Sequence, residues 1–175
     1  LFWRNTMSKN TRFLTHAAVI AALYAVLTHL QNVLLPGSTT WAIQMRLSEA
    51  LCVLSFFTPA AIPGLTVGCL VFNITYAAAL PLDFLVGSLA TLLAAGGMWL
   101  TRRVTVKGYP LVGMAMPALF NALLVGWELT VYIGGGFFLN ALYVALGELA
   151  VLLTFGTVLF YAVKKRHLDT KVFGA

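Results

Sequence analysis

Three glutamates stand inside long apolar stretches of this sequence, and they are the residues best placed to do chemistry. Glu49, Glu128 and Glu148 each lie among Leu, Val, Ala and Gly residues. A carboxylate in hydrocarbon costs several kcal/mol unless something compensates it, so each glutamate is a candidate for ligand binding. The alternative is that they hydrogen-bond neighbouring helices and only hold the helices together.

Other polar and aromatic residues accompany the glutamates. Asn121 and Glu128 are seven residues apart and fall on one helical face, as Asn140, Tyr143 and Glu148 fall on one side of the next helix. The full set of candidate binding residues is Trp41, Gln44, Arg46, Glu49, Asn73, Tyr76, Asn121, Trp127, Glu128, Asn140, Tyr143 and Glu148.

Some of these residues have structural alternatives. Arg46 and Glu49, three residues apart, could neutralise each other on a helix surface. Trp41, Trp127 and Tyr76 could lie at a membrane interface instead of stacking on a ligand.

The elements that must position these residues are membrane spans. Apolar residues make up 61% of the 175, charged residues 9%, and the mean hydropathy is +0.92. Because a helical crossing needs roughly 20 apolar residues, five to seven crossings nearly use up the chain. The net charge is +6, but the sequence lacks a basic face in which aromatic residues alternate with Lys and Arg, so the charge does not indicate nucleic-acid binding.

Apolar stretches predict spans at 13–34, 46–59, 63–80, 83–100, 110–131 and 139–163. The second is short and ends at Pro59, with Pro63 just beyond it, so a re-entrant segment is the alternative. Asp83, beside Pro81, is interpreted as the N-cap of the fourth span.

Charge decides between these alternatives, because cytoplasmic flanks carry excess Lys and Arg. Basic clusters precede the first span, follow the fourth and follow the sixth: Arg4, Lys9 and Arg12; Arg102, Arg103 and Lys107; Lys164, Lys165, Arg166 and Lys171. These three clusters lie on the same side of the membrane only if the second segment crosses the membrane.

The prediction is an all-α integral membrane protein with six transmembrane helices and both termini cytoplasmic. It comprises a cytoplasmic segment at 1–12, of which 1–6 could be an extension before Met7, one six-helix domain at 13–163, and a basic tail at 164–175. The candidate binding residues then fall in the outer half of the membrane.

The sequence offers no enzyme motif. It has no phosphate-cradling glycine loop followed by Lys-Ser or Lys-Thr, no zinc-protease motif and no nucleophile elbow. Cys52 and Cys69 are interpreted as small core residues. We therefore predict no catalytic residue, no metal and no cofactor, and any active transport must be driven by an ion gradient or a partner.

A stripe of alanines marks the first span. Ala17, Ala21 and Ala25 follow one another at intervals of four, which forms a smooth groove where another helix can approach. Spacing alone favours packing inside the protein, and docking of a partner is the alternative.

Several segments resemble the QueT family. They are QMRLSEAL at 44–51, FTPAAIPGL at 57–65 with VGC at 67–69, GSLATL at 87–92 and FNA at 120–122. The likeness extends from about residue 13 to 165. QueT proteins are S components, the substrate-binding subunits of energy-coupling factor (ECF) transporters, assigned to queuosine precursors or related 7-deazaguanines.

The resemblance implies a six-helix S-component fold in a prokaryotic plasma membrane, with an external pocket. It also implies docking on the membrane subunit EcfT, which carries two cytosolic ATPases, through an alanine-rich first helix, so Ala17, Ala21 and Ala25 become predicted docking residues. The implied ligand is 7-cyano- or 7-aminomethyl-7-deazaguanine, or queuine. One of the three glutamates would accept hydrogen bonds from the guanine-like edge of the ligand. O6 would accept a hydrogen bond from Arg46, Asn121 or Asn140, and an aromatic side chain would stack on the ring.

Other functions remain open at this point. The chain could be an S component for another small vitamin-like molecule, or a solitary carrier, although two repeated halves are not recognisable. An intramembrane enzyme or a structural scaffold is less compatible with the sequence, because ligand spacing for a metal is absent and a scaffold does not need membrane carboxylates.

Overall fold

The computed structural model describes residues 8–39 and 45–173, and the regular structure of these residues is helical. The helices are α1 (Lys9–Leu34), α2 (Ala61–Thr75), α3 (Asp83–Thr101), α4 (Leu111–Met114), α5 (Met116–Tyr132), α6 (Phe137–Val151) and α7 (Thr157–Lys165). A 3₁₀ helix, Leu47–Phe56, precedes α2, and a π-helical turn, Leu152–Gly156, joins α6 to α7. The predicted all-α class is confirmed for the described residues.

In the part of the chain that the structure describes, four segments are long and apolar enough to cross a membrane. They are α1, α3, the pair α4 and α5 (Leu111–Tyr132) and the pair α6 and α7 (Phe137–Lys165). The 3₁₀ helix and α2, which correspond to the second and third predicted spans, are shorter. Every predicted span thus coincides with a helical segment, and the count of six crossings stays a prediction.

Apolar side chains cover the outside of the helices, and polar side chains lie within. In the most apolar stretch of α1 only 17% of the residues are buried, and Val33 is 76% exposed. Arg46 and Glu128, in contrast, are 4% and 0% exposed. This arrangement reverses that of a water-soluble domain and is the one expected when lipid is the solvent.

The ends of the helices follow local rules. The Ser8 hydroxyl accepts a hydrogen bond from the Thr11 N–H at 3.2 Å and caps α1, and Pro36 stands just beyond its end. Pro117 has no N–H to continue a helix, which accounts for the break at Ala115 between α4 and α5.

The 3₁₀ helix lies inside the bundle, in contact with α1, α2, α3, α6, the π-helical turn and α7. Eight of its ten residues are buried. At roughly 2.0 Å per residue it covers about 20 Å, against about 15 Å for an α-helix of the same length. A segment enclosed by protein need not match the bilayer thickness itself, so its shortness does not prevent it from forming the centre of the fold.

Contacts between distant segments bring the two ends of the chain together. Arg12 donates a hydrogen bond to the Val172 carbonyl at 3.4 Å, and the His16 and Phe173 rings lie edge to face. The loop after α3 meets the start of α7, where the hydroxyls of Tyr109 and Thr157 lie 2.6 Å apart. Lys9 and Arg12, the described residues of the first basic cluster, therefore lie at the same end of the molecule as the last basic cluster. Which side of the membrane that end faces stays a prediction.

Helices α1 and α2 approach each other through small residues. A Cβ atom on Gly64 would lie 2.7 Å from the Ala17 carbonyl oxygen, and one on Gly68 would lie 2.8 Å from the Ala21 carbonyl oxygen. Ala25 is 9% exposed. The alanine stripe thus packs within the chain, which is the alternative that spacing favoured, and its role in docking a partner stays a prediction.

We expect Gly68→Ala to destabilise the protein and Gly96→Ala to leave it as stable or make it more stable. Both glycines are helical, but a Cβ at position 68 would also lie 2.7 Å from the Tyr24 Cβ, whereas nothing lies within 4 Å of one at position 96. Overpacking costs about 1–3 kcal/mol, while Ala gains up to about 1 kcal/mol over Gly in a helix. Unfolding in mixed detergent measures both variants, and equal stabilities would contradict the close approach of α1 and α2.

Candidate binding site

Four carboxyl side chains converge in the interior of the bundle. Glu49 comes from the 3₁₀ helix, Asp83 from the start of α3, Glu128 from α5 and Glu148 from α6, and all are at most 3% exposed. We refer to these four residues as the acidic cluster. The chain has five acidic residues in all, so only Asp169 lies outside it.

Arg46 is the buried cation that accompanies the acidic cluster. Its Nη2 lies 4.0 Å from Asp83 Oδ1, and its Nε donates to the Thr39 carbonyl at 3.3 Å. The surface pairing of Arg46 with Glu49 that the sequence allowed is therefore wrong, because Arg46 precedes the 3₁₀ helix as a buried residue and pairs with Asp83.

The sequence suggested that Asp83 caps α3, and this prediction is wrong. The N-cap is Leu82, and Asp83 occupies the first turn, where a negative charge is favourable near the positive end of the helix dipole. Its Oδ2 accepts the Leu80 N–H at 3.1 Å, so the side chain closes the preceding turn. Its Oδ1 has no hydrogen-bond partner among the described residues and faces Arg46.

The carboxyl group of Glu49 is fully engaged by protein donors. Tyr24 from α1 donates its hydroxyl to Oε1, and the Cys52 thiol donates to Oε2 at 3.1 Å. Cys52 is buried, as predicted for a core residue, but it also has this polar contact. Glu49 therefore has no oxygen left without a donor.

Glu148 and Glu128 are less satisfied. Asn121 donates to Glu148 Oε1 at 3.0 Å, which joins the polar faces of α5 and α6 as the spacing indicated. Glu148 Oε2 and both oxygens of Glu128 find no donor among the described residues. A buried acceptor without a partner costs about 1–3 kcal/mol, and more when it is charged, so these three atoms are the candidate acceptors for a ligand.

An aromatic surface lies beside the guanidinium. The rings of Phe72 and Tyr76 stack with centroids 5.1 Å apart, and the Arg46 guanidinium lies 5.9 Å from the Phe72 centroid. Asn73, on the same helix, donates to the Asp83 carbonyl at 2.8 Å and leaves its own oxygen unpartnered within the described structure. Tyr76 and Asn73 are thus close to the charged groups.

The remaining candidates are placed less favourably. Asn140 donates to Thr130 Oγ1 and to the Gly134 carbonyl, both at 3.0 Å, and so fastens the turn between α5 and α6. Trp127 is 50% exposed, as expected for an interfacial residue, and Tyr143 is half-buried. Trp41 and Gln44 lie outside the described residues. Ligand contacts of these residues stay predictions.

The sequence analysis missed a polar stripe on α1. Tyr24, Thr28 and Gln31 are all buried and face the 3₁₀ helix: the Thr28 hydroxyl donates to Ser48 Oγ at 2.7 Å, and Gln31 Oε1 accepts the Leu47 N–H at 2.8 Å. Their spacing of four and then three residues puts them on one helical face. That periodicity was the available signal, and it was overlooked because none of the three is ionised at neutral pH.

The arrangement suits binding better than catalysis. Within residues 8–39 and 45–173, no group of three or more His, Cys, Asp or Glu residues is placed to hold a metal ion. What the site offers is a set of unpartnered acceptors, one guanidinium and an aromatic surface, enclosed by helices with an apolar exterior. This combination makes the acidic cluster and Arg46 the candidate binding site, and the binding of a small polar molecule there stays a prediction.

The family comparison identifies the class more closely. The model of the QueT transporter family matches residues 14–165, so the chain belongs to that family. It is therefore a transporter and not an enzyme. No curated protein and no solved structure gives a significant match.

We expect Tyr24→Phe to lower the free energy of unfolding by about 1–3 kcal/mol, because it leaves a buried carboxylate oxygen of Glu49 without its donor. Tyr109→Phe is the matched control, since its hydroxyl bonds to a neutral, partly buried Thr157 and should cost about 1 kcal/mol or less. Unfolding in mixed detergent compares the two. Equal losses would show that Tyr24 does not support the acidic cluster.

Proposed function

We propose that this chain is the substrate-binding S component of an ECF-type importer and that it binds a queuosine precursor or related 7-deazaguanine from outside the cell. The observation that carries the proposal is Glu128, a fully buried carboxyl group with no donor for either oxygen among the described residues. Membership of the QueT transporter family supports the same conclusion.

The guanine-like edge of a 7-deazaguanine matches Glu128. This edge presents N1–H and the 2-amino group side by side, and a carboxylate accepts such a pair with two parallel hydrogen bonds. Glu49 could not accept this pair of hydrogen bonds without losing those from Tyr24 and Cys52. Glu148 already accepts a hydrogen bond from Asn121 with one of its oxygens. Among the three glutamates named from the sequence, Glu128 is therefore our choice.

The other faces of the ligand have partners nearby. Arg46 Nη2 makes no hydrogen bond in the described structure and can donate to O6, while its pairing with Asp83 holds the guanidinium in place. The Tyr76 ring, stacked on Phe72, offers a flat surface for the bicyclic ring. Site residues on the 3₁₀ helix, α2, α3 and α5 would thus enclose one small planar molecule.

Active import would take its energy from an ion gradient or a partner, because the sequence has no phosphate-binding loop. In our proposal EcfT and two cytosolic ATPases supply it from the basic, cytoplasmic end of the molecule. Docking through Ala17, Ala21 and Ala25 would have to share this stripe with α2, since Ala17 and Ala21 are already against Gly64 and Gly68. An S component for another vitamin-like molecule and a solitary carrier are the competing functions.

We expect 7-aminomethyl-7-deazaguanine to raise the melting temperature of the purified protein, since a ligand at 100 times its Kd adds about 2.7 kcal/mol. Glu128→Gln should abolish the shift, because an amide cannot accept both N–H groups of the edge. Asp169→Asn, which removes the one acidic residue outside the acidic cluster, should retain it. The absence of a shift with any 7-deazaguanine in the unaltered protein would refute the substrate.

We expect the protein alone in lipid vesicles to bind substrate without accumulating it. Co-reconstitution with EcfT and the ATPases should give uptake that depends on ATP, because the chain has no motif for ATP hydrolysis. Uptake of radiolabelled substrate measures both conditions. Accumulation by the chain alone under a proton or sodium gradient would favour the solitary carrier.

A further inference from the structure

A cavity of about 290 Å³ lies at the basic end of the molecule, and the described residues that line it do not belong to the acidic cluster. Its walls come from the first turns of α1, from the turn that links the 3₁₀ helix to α2, and from Phe173 near the end of the chain. The hydrogen bond from Arg12 to the Val172 carbonyl holds the end of the chain in this place. Three distant segments therefore form this cavity, and it is separate from the candidate binding site.

The polar side chains that line the cavity can all donate hydrogen bonds. They are Lys9, Arg12, His16 and Thr58. Lys and Arg are positively charged at neutral pH, and a His ring has an N–H in either tautomer. The Thr58 hydroxyl, in a residue that is 4% exposed, accepts the Ala60 N–H at 3.3 Å and so keeps its own proton for donation. Two positive charges and two further donors at one place are the groups that bind a phosphate.

The acidic side chains of the protein do not balance the charge of the cavity. Four of the five belong to the acidic cluster, so Asp169 alone remains for the ten Lys and Arg residues other than Arg46. Within the described residues the ion pair of Arg46 with Asp83 is the only one, so neither basic residue of the cavity is paired there. An anion bound in the cavity would therefore meet positive charge without competition from an acidic side chain.

Apolar side chains complete the cavity and connect it to the apolar exterior. Phe13, Pro59 and Phe173 line it beside the donors. Phe13 is 40% exposed, and the neighbouring Leu14 is 65% exposed. A dissolved anion gains nothing from an apolar wall, whereas a phospholipid presents its charged phosphate next to apolar chains. The lining therefore favours a lipid headgroup over a free ion.

We propose that this cavity binds the phosphate of an anionic phospholipid from the membrane leaflet at the basic end. Lys9, Arg12 and Thr58 bind the phosphate oxygens, and the acyl chains lie on the apolar surface beside Phe13. Basic pockets at the cytoplasmic side of membrane helices suit such headgroups, because that leaflet carries anionic lipids. A bound lipid would fasten α1, the turn before α2 and the end of the chain to one another. The inference goes beyond the proposed function and does not depend on what the acidic cluster binds.

The first test compares lipids on the unaltered protein in detergent. Native mass spectrometry measures the binding of phosphatidylglycerol and of phosphatidylcholine with the same acyl chains, which differ in net charge. Since a basic residue near a membrane surface contributes about a fivefold gain in affinity for anionic lipid, we expect phosphatidylglycerol to bind at least about tenfold more tightly. Equal binding of the two lipids would overturn the inference. Displacement of phosphatidylglycerol by inorganic phosphate at the same concentration would assign the cavity to a dissolved anion and would also overturn it.

The second test locates the lipid in the cavity. Lys9→Gln combined with Arg12→Gln removes both charges and should weaken the binding of phosphatidylglycerol roughly 25-fold. Arg103→Gln combined with Lys107→Gln is the matched control, because these two exposed residues belong to another basic cluster and the change in charge is the same. The control should weaken binding less than about twofold. Equal losses in the two double variants would show a diffuse attraction to the basic surface, and the cavity would not be the site.

A third comparison separates charge from the position of the chain end. Arg12 also bonds to the Val172 carbonyl, whereas Lys9 makes no ion pair within the described residues. Lys9→Gln alone should therefore weaken phosphatidylglycerol about fivefold, and Lys9→Arg should bind it as the unaltered protein does. Unchanged binding in Lys9→Gln would show that the charge in the cavity does not hold the lipid, and the inference would be wrong.

Discussion

The need to compensate buried carboxyl groups shapes this protein more than any other constraint. Inside a bundle whose exterior is apolar, a carboxylate cannot form hydrogen bonds with bulk water. Each of its oxygens therefore needs a hydrogen-bond donor from the protein or from a ligand. Glu49 finds two donors in Tyr24 and Cys52, and Asp83 finds the Leu80 N–H and the Arg46 guanidinium. Glu128 and half of Glu148 find none among the described residues.

The 3₁₀ helix is the element that makes this arrangement possible. It runs through the inside of the bundle, so Arg46 at its start and Glu49 in its first turn are presented to α1, α3 and α6 at once. The polar residues of α1 hold it in position through Thr28 and Gln31. The π-helical turn between α6 and α7 accommodates it on the other side, where Gly156 lies against Val53. Long 3₁₀ segments are uncommon, and such irregular helices recur at functional sites.

The close packing of α1 and α2 determines which carboxyl groups keep free acceptors. The approach of α1 and α2 at Gly64 and Gly68 brings Tyr24 to Glu49, and this contact supplies a donor to one of the Glu49 carboxyl oxygens. Glu128 and Glu148 are then the carboxyl groups with acceptors to spare, on two adjacent helices. A small molecule bound between them would also tie α5 and α6 to the 3₁₀ helix, so ligand binding and rigidity of the bundle should increase together.

The sequence by itself determined the helical class, the positions of all six apolar segments and the glutamates that lie within them, because hydropathy and the cost of an intramembrane charge are local properties of the chain. It also placed Asn121 and Glu128 on one face, since that follows from helical period alone. Only the tertiary structure decided that Arg46 pairs with Asp83 and not with Glu49, that Asp83 lies inside the α3 turn, and that Tyr24 belongs to the site. Contacts between residues of distant segments depend on how the helices are rotated about their axes and how closely they approach each other. The spacing of residues within one helix specifies neither property.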